Sequence, residues 1–143
     1  MEALNVLENK ILGQEEIRQI IPHRGRWLLL DEIVKIQEKF IIAIKTFTME
    51  ECEGHFGIAP GHLICEALAQ AGAALVLSRC LHKEKMIFLV RTRADFLVPV
   101  MPMEKTTLEV ELVREKMGMC FFRGRALVGL RKSVEWDGVG TLR

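Results

Sequence analysis

The stretch from Gly54 to Leu81, GHFGIAPGHLICEALAQAGAALVLSRCL, limits the possible folds more than any other part of the chain. It opens with a Gly-His-Phe turn, passes Pro60-Gly61 and continues at helical length with apolar or small residues on nearly every side. A helix that is apolar all round is enclosed by other structure. Ala67, Ala69, Ala71, Gly72, Ala73 and Ala74 let other backbone approach it closely, with Gly72 costing about 1 kcal/mol relative to alanine. Glu66 and Gln70 interrupt the body of this segment, four residues apart and so on one helix face. A carboxylate on a buried helix needs a partner or a task, because burying an unpaired charge is costly or shifts its pKa. Glu66 and His55 are therefore read as a working pair.

The rest of the chain has the size to enclose such a helix. Its 143 residues, half of them hydrophobic, fit a single domain spanning 1–143 with its own core. No run reaches the roughly 18 apolar residues of a membrane-spanning helix, and the acidic start MEALNVLENKILGQEE is unlike a secretory signal, so a soluble, cytoplasmic protein is expected. Cys52, Cys65, Cys80 and Cys120 form no C-x-x-C pair and are expected as reduced thiols. Charge is uneven: 7 basic and 11 acidic residues up to Ala71, against 13 and 8 beyond it, which suits a basic face for an acidic partner. Arg91, Arg93, Arg114, Lys116, Arg123 and Arg125 fall in strand-like alternation, the pattern of solvated outer faces rather than of a nucleic-acid site.

In chain order, Gln14 to Ile21 predicts a short amphipathic helix ended by Pro22. Trp27 to Ile36 and Phe40 to Thr48 predict two strands joined by a hairpin, and the acidic MEECEG connects them to His55. The long helix is predicted from Gly61 to about Leu81. Three strands follow. Met86, Phe88, Val90, Ala94, Phe96 and Val98 share one face of the first, opposite Arg91, Arg93 and Asp95. Leu108, Val110 and Leu112 mark the second; Phe122, Ala126, Val128 and Leu130 mark the third, after a turn at Met117-Gly118. This order predicts an α+β domain in which a curved antiparallel sheet wraps one central helix, the hot-dog architecture.

The segments IIPHRGRWLLLDEIV, GHF followed by PGHLICEALAQAGA, and FLVPVMPMEKTTLEVELVREKMGMCFFRGRALV resemble the FabZ-type 3-hydroxyacyl-acyl-carrier-protein dehydratases of fatty acid synthesis, from about Ile17 to Val134. The resemblance implies that His55 is the catalytic histidine, Glu66 the catalytic acid, and Gly61 the glycine whose amide faces the substrate carbonyl. It further implies a homodimer, in some members assembled further, with the His and Glu of one site on different subunits. The substrate would arrive on acyl carrier protein, and no cofactor is implied. The chain departs from the family in having three residues, Gly57, Ile58 and Ala59, between His-Phe and Pro-Gly where six are usual. It also lacks tyrosine, with Gly25-Arg26 after the PHR, and has His62 after the glycine.

The chemistry suits these residue types. Eliminating water from a 3-hydroxyacyl thioester needs a base for the C2 proton, an acid for the departing hydroxyl and donors for an enolate-like oxygen. Neutral His55 is the expected base, and Glu66 in apolar surroundings is expected to hold a proton. The helix start at Pro60-Gly61 offers free N–H groups to negative charge, and His62 there is a second candidate base. Gln70 either hydrogen-bonds across a subunit contact or orients the site. Pro22-His23-Arg24 is expected to cap the first helix with both side chains solvated. Three other readings stand beside the dehydratase: a hot-dog thioesterase using Glu66 without His55, a non-catalytic acyl-thioester-binding subunit, and a zinc site at Cys52, His55, His62 and Cys65.

Overall fold

The computed structural model describes residues 11–80 and 84–143. The elements are α1 (Gln14–Ile17), β1 (Glu32–Ile36), β2 (Phe40–Thr46), α2 (Met49–Cys52), α3 (Gly61–Leu77), β3 (Ile87–Phe96), β4 (Lys105–Lys116), β5 (Met119–Val128) and β6 (Arg131–Leu142). All six strands form one antiparallel sheet in the order β1-β2-β4-β5-β6-β3. Its inner face meets α3, where Ile64, Ala67, Leu68, Ala71, Ala74 and Leu75 are buried against Ile41, Ala43, Leu108, Val110, Phe122 and Trp136. Sheet and helix together make the expected hot-dog fold.

The differences from expectation have local causes. The first strand begins at Glu32 rather than Trp27, because a 3-10 turn occupies Gly25–Trp27. Leu28, Leu29 and Leu30 are buried without joining the sheet; the Leu29 amide donates to the Gln70 side chain on α3 instead of to a strand. The acidic connection contains one helical turn, α2, closed by a capping box: the Glu51 amide donates to Thr48 Oγ1 and the Thr48 amide to the Glu51 carboxylate. The central helix ends at Leu77, where Ser78 Oγ donates to the Leu75 carbonyl. The predicted end at Leu81 lies outside the described residues.

Two corrections concern the strands after α3. There are four, not three: RKSVEWDGVGTL forms β6, a long strand whose glycines disguise its alternation. In β3 a bulge at Val90 breaks the predicted face. The buried face of β6 is opposed by Leu89 (to Gly140), Thr92 (to Gly138), Ala94 (to Trp136) and Phe96 (to Val134), so Phe88 and Val90 do not share a face with Ala94. Leu130, predicted inward, is fully exposed at the β5–β6 turn.

The outer face is a charge ladder rather than a basic patch. Glu111, Arg123, Asp137 and Arg93 lie in register across four strands, as do Glu109, Arg125, Glu135 and Asp95. Arg125 Nε is 2.6 Å from Glu109 and Lys132 Nζ 2.6 Å from Glu135. Arg123 and Arg125 are therefore offset by neighbouring carboxylates, which removes the expected support for them as an acidic partner's docking face. The outward arginines are otherwise the solvated face expected.

Candidate active site

His55 sits on a tight loop between α2 and α3 in which Gly54, Phe56 and Gly57 all have positive φ (79°, 55° and 69°). Two turns, His55 N–H to Cys52 O and Ile58 N–H to His55 O, fold the short connection back on itself. His55 Nδ1 lies 3.3 Å from the Ile58 carbonyl. With the proton on Nδ1 donated there, Nε2 keeps its lone pair, the state a base requires. The three-residue connection thus still delivers His55 to the mouth of the helix.

His55 and Gly61 line one cavity of about 430 Å³ with Phe96, Leu97, Val98 and Val100. Gly61 is the first residue of α3, and first-turn amides have no intrahelical acceptor. The Phe96 ring occupies the space a side chain would need, since a Cβ on Gly61 would be 2.6 Å from it. His62 lines the same cavity but is exposed.

Glu66 and Gln70 line a different cavity of about 180 Å³. Gln70, only 1% exposed, is fully engaged: Oε1 accepts from the Leu29 amide at 2.9 Å, and Nε2 donates to the Trp27 carbonyl at 2.7 Å and to Glu66 Oε1 at 3.1 Å. That favours the orienting role for Gln70 over a subunit contact. Glu66 is not sealed in apolar surroundings as expected; its side chain is 36% exposed, and its near neighbour is His23, with Nε2 at 3.6 Å.

His23 is the residue that sequence reasoning missed. It is not solvated but 28% exposed, lining the Glu66 cavity, with Nδ1 buried and unpartnered among the described residues. Arg24 does behave as expected, donating to the carbonyls of Arg18, Ile21 and His23. Burial lowers the His23 pKa below the ordinary 6.5, against the raising effect of the Glu66 charge, and Arg24 lowers it further. Below 6.5 the unfolded chain then binds a proton that the folded chain resists, so His23 costs stability as pH falls. Thermal melts at pH 8 and 5 should show a steeper acid-side loss in the wild type than in His23→Gln; equal slopes would remove this account.

The zinc reading fails on geometry. No group of three or more His, Cys, Asp or Glu side chains that could hold a metal occurs among the described residues. Cys52 and Cys65 are buried while His62 is exposed. Burial pushes the Cys52 and Cys65 thiols up, and Cys120 up to about 11, away from the thiolate that a metal or a nucleophile needs. No described helix is long and apolar enough to cross a membrane.

Known proteins resemble this chain in family and in fold. Residues 21–136 match the FabA-like domain family. The chain is 37% identical over 134 residues to the 3-hydroxyacyl-[acyl-carrier-protein] dehydratase FabZ of Koribacter versatilis, covering 88% of this chain and 86% of that protein. It is 38% identical over 132 residues to the FabZ of Clostridium kluyveri, covering 87% and 92%. Among solved structures, the dehydratase heterocomplex ApeI:P from Xenorhabdus doucetiae superposes with a TM-score of 0.77 at 14% identity over 89% of this chain and 90% of that one. The E. coli PaaI protein from the phenylacetic acid degradation operon superposes at 0.66, with 16% identity over 76% and 80%. These two likenesses show the shared fold.

Proposed function

The chain belongs to the FabA-like family, and from that membership we propose that it is a 3-hydroxyacyl-[acyl-carrier-protein] dehydratase, a hydro-lyase that forms trans-2-enoyl thioesters. The observation that supports the reading is that α3 carries both halves of the chemistry: His55 lies beside Gly61 at the helix start, and Gln70 orients the Glu66 carboxylate one turn and more along it. His55 Nε2 takes the C2 proton, the C–H electrons form the C2=C3 bond, and the C3–O bond breaks as Glu66 protonates the hydroxyl to leave as water. The Gly61 amide receives the charge that builds on the thioester oxygen, a contribution worth about 3 kcal/mol per donor in well-studied acyl-transfer enzymes.

Within one chain His55 and Glu66 line separate cavities. A homodimer resolves this. Among the described residues β3 ends the sheet with an unpaired edge, and Phe88, Leu89, Val90, Phe96, Leu97 and Val98 are exposed along it. The Phe88-Leu89 end walls the Glu66 cavity and the Phe96–Val98 end walls the His55 cavity. Two β3 edges paired antiparallel about a two-fold axis set the first end of one strand against the second end of the other. Each site then takes His55 and Gly61 from one subunit and Glu66, Gln70 and His23 from its partner. The substrate is carried on acyl carrier protein, as the names of the FabZ relatives state for those enzymes.

The test is hydration of a short trans-2-enoyl thioester, on carrier protein and on coenzyme A. Water addition, faster on carrier protein, is the expected result. Cleavage of the thioester would move the protein to a thioesterase, and no turnover on either carrier would favour a binding subunit.

A further inference from the structure

The cavity beside Glu66 has a polar mouth and an aromatic floor. Glu66, Gln70 and His23 stand at one end, and Ala69 and Ala73 line the helix wall. Glu66 to Ala73 is seven residues, about 10 Å along the helix axis. At the far end Phe122 and Trp136 stack, with ring centroids 6.4 Å apart and planes at 24°, and both are buried. Neither ring has room to withdraw. Phe122 is pressed against Gly72 of α3, where a Cβ would be 3.1 Å away. The Trp136 ring lies along its own strand over Gly138, where any Cβ would overlap it, and a Cβ on its cross-strand neighbour Gly124 would be 3.1 Å from the ring. The Trp136 indole N–H is fixed by donation to Thr92 Oγ1 on β3. Three glycines on three elements are thus shaped around two aromatic rings that close the cavity.

We propose that Trp136, seated on Gly138 and Gly124 and backed by Phe122, is the residue that limits acyl chain length in this protein. The inference rests on the dehydratase reading of Glu66. With about 180 Å³ on one chain, the cavity is of the order of an engineered apolar cavity of about 150 Å³ that holds benzene, so it suits a short acyl segment. The indole face shuts longer chains out, and a hydrophobic pocket discriminates by about 10–200-fold per methylene.

The experiment measures kcat/KM for enoyl thioesters of about four and about ten carbons on carrier protein, in wild type, Trp136→Leu and Trp136→Ala; the ratio of long to short is expected to rise about tenfold or more in both variants. Trp136→Leu keeps an apolar side chain in the floor should Trp136→Ala fail to fold. A wild type that turns over both lengths equally, or a folded variant with an unchanged ratio, overturns the gate while leaving the dehydratase reading intact. Absence of turnover at every length overturns the dehydratase reading, and a binding measurement then judges the gate alone. The chain has two tryptophans, so Trp27→Phe leaves Trp136 as the sole emitter. Its fluorescence should be quenched by the shorter enoyl pantetheine and not by the longer one. Quenching by both, or by neither, overturns the gate.

Discussion

Co-expressed in equal amounts, His55→Ala and Glu66→Gln chains should recover about a quarter of wild-type activity, although each alone falls by about 10²–10⁴-fold, the range for loss of a positioned acid or base. The recovery follows from the sheet order. If β3 edges pair, a site joins His55 of one chain to Glu66 of its partner. Random assembly makes half of the dimers mixed. In a mixed dimer one site carries both lesions and the other carries none, so half of the sites in half of the dimers work. A site built within one chain gives no recovery, because every site then keeps one lesion. Activity no higher in the mixture than in the parents, with both variants folded and dimeric, would sink the shared site. A wild type inactive in the same assay would instead revive the binding-subunit reading, for which the separate cavities of His55 and Glu66 are the structural motive. The thioesterase alternative makes a third pattern: Glu66→Gln inactive and His55→Ala active without mixing.

What was legible in the sequence was what local rules encode. Glu66 and Gln70 are four apart on one helix, so their shared face and shared cavity followed from helical geometry alone. The antiparallel meander of β4 and β5 followed from clean alternation, and the helix start followed from Pro60-Gly61. The misses all involve a tertiary constraint on a local signal. Leu28–Leu30 is β-like in composition, but the Gln70 amide takes the backbone donor that a strand would have used. The β6 strand carries Gly138 and Gly140 where a strand former is expected, because the Trp136 and Ile87 side chains fill the space above them. The bulge at Val90 shifts half of β3 by one residue, which no alternation count can place. His23 lies 43 residues before Glu66 in the chain, and only the return of the Pro22-His23 segment across α3 brings the two together. Arg123 and Arg125 alternate like any solvated pair, but their cross-strand carboxylates become visible only once β4, β5 and β6 are in register.

Gln70→Leu should cost about 2–4 kcal/mol of folding stability and lower kcat more than it raises KM, because this one side chain serves both fold and site. Leucine fills much of the volume, so the cost does not come from a cavity. It comes from the backbone: the Leu29 amide loses its only acceptor among the described residues, and the Trp27 carbonyl loses the donor at 2.7 Å. Leu29 is buried, so water cannot replace that partner without opening the Leu28–Leu30 crossing. The second loss is at Glu66, whose Oε1 no longer receives the Gln70 amide and whose carboxylate is then held only by the more distant His23. With the acid unfixed, substrate still binds but its departing hydroxyl meets Glu66 less often, which falls on kcat. Gln70→Glu separates the two roles. Its retained oxygen can still accept from Leu29, yet it cannot donate to Trp27 or to Glu66, and it places a second carboxylate beside the first. Chemical denaturation and steady-state kinetics on both variants check the account. A Gln70→Leu protein as stable as wild type would show that the Leu28–Leu30 crossing does not depend on the helix amide. A normal kcat in that variant would show that Glu66 is positioned without it.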